Sequence, residues 1–128
     1  MRDDVFVEHR GLHAILSEVR ASLHDRRASA DGLERLTAAF DVHFAQEERL
    51  YYPAISSLRP ELQMRLRGIS ERHAGFRAQL RRVHALLDEG AVPAAREALA
   101  SLSSDFEEHE REEEQLLSAL DRESEPAP

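Results

Sequence analysis

Two segments of the sequence place a histidine four residues before a glutamate, His43 with Glu47 and His109 with Glu113. Residues four apart lie on the same face of an α-helix, so each pair would present an imidazole and a carboxylate side by side. The neighbouring residues on that face are apolar, and burying such a pair among them is unfavourable unless a partner satisfies both groups. A metal ion that accepts nitrogen and oxygen ligands satisfies both at once.

The two pairs belong to an internal repeat that covers most of the chain. Residues 40–50 align with residues 106–116 at identical spacing, and the segment that begins at His9 aligns with the one that begins at His73. Each half of the chain therefore supplies one lone histidine and one histidine–glutamate pair. The predicted metal ligands are His9, His43, Glu47, His73, His109 and Glu113.

Six protein ligands are too many for one four-coordinate zinc ion. They suit two metal ions, each bound by two histidines, with both carboxylates bridging and a solvent oxygen between the ions. Iron, manganese and zinc all accept this set of donors, and the two redox metals would add chemistry towards O₂, peroxide or a similar small oxidant. A metal-free bundle whose histidines are satisfied by hydrogen bonds is the alternative, and elemental analysis separates the two.

The elements that must position these residues are four amphipathic helices. Apolar residues recur at helical spacing within residues 4–27, 31–53, 60–90 and 93–123. Residues 29–32 are predicted to break the first helix, Pro53 to kink or end the second, and Gly90 to end the third. Strand patterns are absent. The predicted fold is all-α, an antiparallel up-down-up-down four-helix bundle over residues 1–123, followed by a disordered tail at 124–128.

The positions of the histidines along the bundle axis leave the choice between His9 and His13 open. In an antiparallel hairpin, residues equidistant from the turn lie side by side, and three of the predicted histidines meet this condition. With the first turn placed near Ala30, however, His13 fits better than His9 does. We therefore expect His13 to contact the ligands, together with Tyr51 and Arg77, which lie one helical turn after predicted ligands.

Composition excludes several classes of function. The chain has 128 residues and a net charge of −8, which disfavours nucleic acid and anionic membrane surfaces as partners. It has no cysteine, which excludes disulfides, thiolate zinc sites and all-thiolate iron–sulfur clusters. No leader-like segment and no apolar stretch of ~20 residues is present, so we expect a cytoplasmic protein, as a monomer or weak homodimer.

The segments VEHRGL, HFAQEERLYYP, ERHAGF and HEREEEQLL resemble the hemerythrin-like, HHE cation-binding family. The resemblance implies a four-helix bundle with a non-heme, carboxylate-bridged di-iron centre, and it implies His9 as the first ligand. Oxygen-carrying members place a further histidine where this chain has Arg77. They also take the last carboxylate one residue later, which keeps Glu114 as an alternative to Glu113. The pattern is closer to the branch with a lone histidine on the third helix, which is associated with peroxide or nitric oxide chemistry and iron–sulfur repair.

The function predicted from the sequence is that of a non-heme di-iron protein that binds or reacts with O₂, peroxide or nitric oxide. Its cofactor would be two iron ions with a bridging oxygen species, replaceable by zinc or manganese, and turnover would require an electron donor. The alternative is an O₂- or iron-binding or sensing module without turnover. Ferritin-like iron oxidation requires Glu-x-x-His pairs, and none of the seven histidines has a glutamate three residues before it.

Overall fold

The computed structural model of the chain describes residues 2–124, and the side chains of residues 3–120. Helix α1 spans Arg2–Ala21 and α2 spans Arg26–Gln46; a π-helical segment, Glu47–Tyr51, joins α2 to α3, Tyr52–Leu58, without a break. A 3₁₀ turn, Pro60–Leu62, leads into α4, Gln63–Asp88, and α5 spans Val92–Ser124. The regular structure of the described residues is therefore entirely helical, in four rods, and the predicted four-helix bundle is confirmed.

Each rod packs against two others. Helix α1 contacts α2 and α5, and α4 contacts the same two helices from the opposite side. Short connections reverse the chain between successive rods, as expected for neighbours in an antiparallel bundle. The four rods thus enclose one interior. No helix in the described part of the chain is long and apolar enough to cross a membrane.

The first connection lies earlier than the sequence predicted. Helix α1 ends at Ala21, and Asp25 caps α2 by accepting hydrogen bonds from the backbone amides two and three residues later, both at 3.1 Å. The predicted break at residues 29–32 is wrong, because Gly32 lies within α2 and permits close packing of two helices. A Cβ atom at Gly32 would lie 2.9 Å from Cγ2 of Val19.

Because the first turn comes earlier, the histidines of α1 and α2 match at different positions along the bundle axis. His9 lies 12 residues before the end of α1, His13 lies 8 residues before it, and His43 lies 17 residues after the start of α2. His9 is therefore the better match to His43, which reverses the comparison made with the turn near Ala30.

The second rod continues beyond Pro53, which was predicted to kink or end it. The chain stays helical to Leu58 through the π-helical segment, in which the amide of Tyr52 donates to the carbonyl of Glu47, five residues back. A proline lacks an amide and crowds the carbonyl four residues before it, here that of Arg49, which lies in the widened turn. The extra residue rotates all later side chains by ~100° relative to an α-helical register.

The end of α4 is as predicted. Gly90 adopts a positive φ of 77° after the last turn of α4. The amide of Ala91 donates to the carbonyl of Leu86 at 2.8 Å, and the amide of Gly90 donates to that of Leu87 at 3.0 Å, which is a Schellman ending. The predicted tail at 124–128 lies outside the described residues, apart from Ser124, the last residue of α5.

The buried interior is divided into two apolar clusters with a polar layer between them. The first cluster lies towards the α1–α2 and α4–α5 connections, and the second lies towards the α3–α4 connection. Each rod has a buried histidine at or beside the passage from one cluster to the other. His9 lies between Leu12 and Val5, His73 lies between Phe76 and Ile69, and His109 and Glu113 lie between Phe106 and Leu116. In the second rod, His43 lies beside Phe44, and Glu47 lies between Phe44 and Tyr51.

Candidate metal centre

The six residues predicted as metal ligands converge in this polar layer. Every one of the six side chains is at most 4% exposed, and each rod contributes at least one of them. Their inner atoms form two groups of possible ligands, in each of which the atoms lie within 4.8 Å of one another. The first group is His9, His43, Glu47 and Glu113, and the second is Glu47, His73 and His109.

Glu47 belongs to both groups and lies between imidazoles from the two halves of the chain. Its Oε1 lies 3.3 Å from Nε2 of His43 and 3.3 Å from Nε2 of His73. One carboxylate oxygen therefore lies within contact distance of imidazoles from both halves of the chain.

Glu113 also contacts an imidazole from each half of the chain, although it belongs to only one of the two groups. Its Oε1 lies 3.1 Å from Nε2 of His109 and 3.6 Å from Nε2 of His9. Two atoms that bind one metal at ~2.1 Å each and at a right angle are about 3 Å apart. The spacing of the inner atoms around both carboxylates thus matches that of ligands that share an ion.

Most of the inner atoms have no hydrogen-bond partner among the described residues, the exception being Nε2 of His73, which lies 3.4 Å from the hydroxyl of Tyr52. These buried atoms include Nε2 of His9, His43 and His109 and Oε1 of Glu47 and Glu113. Leaving so many polar atoms buried and unsatisfied is costly, and neutral imidazole lone pairs that face carboxylate oxygens repel each other. A cation between them would remove both penalties. The residues present therefore fit a bound metal.

Carboxylates hold the outer nitrogens of three of the four imidazoles. A carboxylate only accepts, so each of these Nδ1 atoms carries the hydrogen and the Nε2 lone pair is directed inwards. The pairs, measured from Nδ1 to the nearest carboxylate oxygen, are His43 with Glu8 at 2.8 Å, His73 with Glu48 at 2.8 Å and His9 with Glu114 at 3.1 Å.

His109 is the exception. Its Nδ1 is buried and has no hydrogen-bond partner in the part of the chain that the structure describes. In the repeat, the position of Glu8 is taken by Arg72, whose guanidinium has no acceptor atom. Arg72 pairs instead with Glu112. The fourth imidazole therefore lacks the support that the other three have.

Burial keeps two of the imidazoles neutral. Burial lowers the pKa of His43 to about 4, against the opposing charge of Glu47. Burial also lowers the pKa of His109 to about 3, and the nearby His73 and Arg72 add to this effect. Because a metal requires the neutral form of imidazole, both side chains are in the binding form at neutral pH.

Tyr52 reaches the centre, although the sequence singled out Tyr51. The hydroxyl of Tyr52 donates to Oε2 of Glu113 at 2.9 Å and lies 3.4 Å from Nε2 of His73. Burial and the nearby carboxylates raise the pKa of Tyr52, so its hydroxyl keeps its proton. The hydroxyl of Tyr51 lies further out, 3.5 Å from Oε1 of Glu8.

The π-helical segment explains this exchange of tyrosines. In an unbroken α-helix, Tyr51 would follow Glu47 on the inner face. The extra residue in the turn moves that position to Tyr52. Pro53 is the local sign of a disturbed helix, but it indicates neither a π turn nor the side chain that turns inwards.

Glu113, rather than Glu114, points into the interior. Glu113 is 4% exposed and belongs to a group of possible ligands, whereas Glu114 contacts the outer nitrogen of His9. Nearby, Glu110 is also buried and lies 3.3 Å from Nδ1 of His9, and burial raises the pKa of Glu110. Glu110 was not predicted from the sequence, because it lies in an acidic run that has the composition of a solvated face.

His13 and Arg77, the other two residues predicted to contact the ligands, lie in different places. His13, whose side chain is 35% exposed, hydrogen-bonds to Glu110 and thereby joins the outer network around His9. Arg77 pairs with Asp41 at 3.2 Å, and its guanidinium lies over the ring of Phe44. Arg77 is thus engaged on the surface of the bundle rather than at the centre.

A small enclosed cavity adjoins the two inner carboxylates. Its volume is about 10 Å³, and Glu47, Glu113 and both tyrosines form part of its wall. Such a volume holds about one water-sized sphere. The remaining wall is apolar and is formed by Val5, Ile55, Leu66, Leu116 and Leu117.

Comparison with known proteins identifies one family. The family described as Hemerythrin HHE cation binding domain matches residues 1–120. The matched range contains all six converging side chains. Neither the curated proteins nor the solved structures provide a match to the chain.

Proposed function

The chain belongs to the hemerythrin HHE cation-binding family, and on that premise we propose that its centre binds two iron ions and binds or reacts with O₂, peroxide or nitric oxide. The observation that carries the proposal is the position of Glu47, between imidazoles of both halves and without a hydrogen-bond partner for its Oε1 among the described residues. Such an arrangement is unfavourable without a cation and favourable around two.

Each half-site would take two imidazoles. His9 and His43 belong to one group of inner atoms, and His73 and His109 to the other. The two carboxylates, Glu47 and Glu113, would bridge the ions, which is supported by the contact that each makes with two imidazoles. Imidazole and carboxylate donors suit iron, and zinc or manganese would fit the same cage.

Two bound iron ions would supply a pair of electrons to a small oxidant, and the chain's own residues decide what can reach them. The small cavity beside Glu47 and Glu113 has room for about one water-sized group, so only a very small ligand would fit without movement of the wall. Its apolar wall disfavours charged or extended molecules. Tyr52 also lines the cavity, and its hydroxyl, which donates to Glu113, would donate to such a ligand only by giving up that hydrogen bond.

The second candidate is a module that binds O₂ or iron, or senses them, without turnover. The raised pKa of Tyr52 favours it, because a hydroxyl that keeps its proton stabilises a bound ligand but is slow to transfer that proton. Stopped-flow mixing of the reduced protein with O₂ and with peroxide distinguishes the two. A stable oxygenated spectrum indicates binding without turnover, whereas rapid consumption of peroxide indicates an enzyme.

Metal analysis of the purified full chain tests the proposal. We expect two iron ions per folded chain after anaerobic reconstitution, and a charge-transfer spectrum that changes on addition of peroxide. Glu47→Ala should lose both ions, because its carboxylate serves both positions. Glu107→Ala, on an exposed part of α5, should lose neither.

Two results would contradict the proposal. A folded wild-type chain that binds no metal would remove the metal centre. A Glu47→Ala variant that keeps both ions would remove the bridging role of Glu47.

A further inference from the structure

Each half of the chain carries a surface groove beside one of its histidine–glutamate helices, and the two grooves correspond position by position. Residues of α1 align with residues of α4 that lie 64 positions later, and residues of α2 align with residues of α5 that lie 66 positions later. By this alignment, all eight positions that line the groove between α4 and α5 also line the groove between α1 and α2, which has Ala38 in addition. Their volumes are about 440 and 590 Å³.

The chemistry of the two grooves is different. At four equivalent positions, the α1–α2 groove has one polar and three apolar side chains, whereas the α4–α5 groove has three acids and an amide. The pairs, in that order, are Ile15 and Gln79, Ala39 and Asp105, Val42 and Glu108, and Gln46 and Glu112.

The imidazoles beside the two grooves also differ. In the α1–α2 groove, Glu8 holds Nδ1 of His43 at 2.8 Å. In the α4–α5 groove, His109 is 1% exposed and its Nδ1 has no partner among the described residues, while its Nε2 faces Glu113 at 3.1 Å. The ring of His109 therefore separates an acidic groove from the interior, and no carboxylate fixes its outer side.

The charge of the α4–α5 groove favours cations. Its lining contains three carboxylates and one guanidinium, that of Arg72. Glu112 pairs with Arg72, and Asp105 accepts a hydrogen bond from Gln79 at 2.8 Å. Glu108 is exposed and has no ion-pair partner in the described part of the chain. A concave surface with excess negative charge raises the local concentration of cations and repels anions.

We propose that the α4–α5 groove is the route by which a hydrated divalent cation reaches the interior, with Asp105, Glu108 and Glu112 attracting the ion and His109 passing it inwards. This inference rests on the proposed metal binding. Carboxylate oxygens suit a hydrated divalent ion, and an imidazole nitrogen is the next ligand towards the interior. Turning His109 breaks no carboxylate hydrogen bond, whereas turning any of the other three imidazoles breaks one that is charge-assisted.

The test is the rate at which the metal-free full chain takes up Co²⁺, followed by stopped-flow absorbance. Asp105→Asn with Glu108→Gln removes two charges from the groove, and we expect uptake to slow about five- to tenfold at low ionic strength. The matched control is Asp31→Asn with Glu34→Gln, which removes two charges from an exposed part of α2 and should change the rate less than about twofold. In about 0.5 M salt, wild-type uptake should slow and the two variants should converge.

Two substitutions of Arg72 test the part of the route assigned to His109. Arg72→Met removes the positive charge from the groove without adding a strong hydrogen-bond acceptor, and uptake should become about two- to threefold faster. Arg72→Glu makes the groove more acidic but also gives Nδ1 of His109 an acceptor. Uptake by Arg72→Glu should therefore be slower than by Arg72→Met, and a faster rate would remove His109 from the route.

The outcomes separate this inference from the proposed function. If the wild-type chain is folded, by circular dichroism, and takes up no Co²⁺, the metal centre itself is wrong. If it takes up Co²⁺ and the groove variant does so at the same rate, only the route is wrong. The route is also wrong if the groove variant binds fewer ions at equilibrium, because the acids would then belong to the final site.

Discussion

The two halves of the chain present the same inner side chains but support them differently. In the first half, the imidazole of His43 is held from outside by Glu8, beside an apolar groove. In the second half, the equivalent imidazole, His109, has no outer partner among the described residues and lies beside a charged groove. The inner histidines and glutamates of the two halves are thus alike, and so are the outer acids Glu48 and Glu114, whereas the outer position taken by Glu8 in one half is Arg72 in the other.

Because of this difference, the binding of an ion and its access to the interior can depend on different residues. In the proposed centre, two half-sites that share their carboxylates would need the same inner donors, which would limit what the inner positions can be. The outer positions have no such limit, because an imidazole binds metal with or without a second partner, although less tightly without one. One side of the bundle can therefore be closed and rigid while the other is open to cations.

The helices that carry the pairs differ as well. The second rod contains a π-helical turn from Glu47 onwards, whereas α5 continues as an α-helix through the equivalent residues. Tyr52 therefore faces the interior, and its aligned residue, Ser118, makes no such contact among the described residues. The hydroxyl that reaches the inner carboxylates comes from the first half and contacts Glu113 of the second.

The largest effect that we expect is a loss of stability of the metal-free protein at low pH. The pKa values of His43 and His109, about 4 and about 3, lie below the ~6.5 of an unfolded chain. The unfolded state therefore binds more protons in this range, and the free energy of unfolding falls as the pH drops from ~6.5 towards 4, by at most ~1.4 kcal/mol per pH unit for each imidazole. Glu8 and Glu110, whose carboxyl pKa values burial raises, act in the opposite direction.

Urea denaturation at several pH values between about 7 and 4.5 measures this slope. His43→Phe and His109→Phe each remove one titrating imidazole, and either should flatten the dependence. If a variant does not fold, NMR titration of the imidazoles in the wild-type protein measures the pKa values of His43 and His109 directly. A stability that is constant over this range would contradict the prediction.

The second effect compares the outer partners directly. Glu8→Ala removes the acceptor of His43 Nδ1, and we expect metal affinity to fall ~10- to 100-fold, since partners of metal-bound histidines contribute about that much. Arg72→Ala, at the equivalent position, should change affinity less than about threefold, because Arg72 supports no imidazole. Competition with a chelator of known affinity measures both. Equal losses would mean that the halves are supported alike.

A third, smaller effect distinguishes the two tyrosines. Tyr52→Phe removes a buried hydrogen bond to Glu113 and should lower the free energy of unfolding by about 1–2 kcal/mol. Tyr51→Phe removes a long contact to Glu8 near the surface and should cost less than about 0.5 kcal/mol. Denaturant titration of the metal-free variants measures both. The reverse order would mean that the π-helical turn does not set the inner face.

The smallest effect should be the same in both halves. Gly11 and Gly75 are equivalent helical positions at which a Cβ would meet no atom within 4 Å. Either change to Ala should therefore stabilise the protein by about 0.5–1 kcal/mol. Gly32→Ala is the contrasting control, since its Cβ would lie 2.9 Å from Val19, and it should destabilise. Thermal denaturation measures all three, and a clear difference between Gly11→Ala and Gly75→Ala would mean that their surroundings differ.

The sequence by itself determined the helices, the repeat and the six inner side chains. Apolar residues at helical spacing define the inner face of each rod, and a histidine or glutamate on that face must point inwards with it. This is local information, because the angle between two side chains on one helix depends only on their separation in the sequence. The family resemblance carried by these segments agrees with the family that matches residues 1–120.

Only the tertiary structure decided how these side chains are supported and reached. Gly32 was expected to break a helix, and it lies within one because Val19 of the neighbouring helix needs the space. Tyr52 replaced Tyr51 because one extra residue in a turn shifts the register of the rod. The partners of the outer nitrogens come from neighbouring rods, so they depend on how the rods are rotated and how high each one sits. Spacing within a single helix carries no information about either quantity.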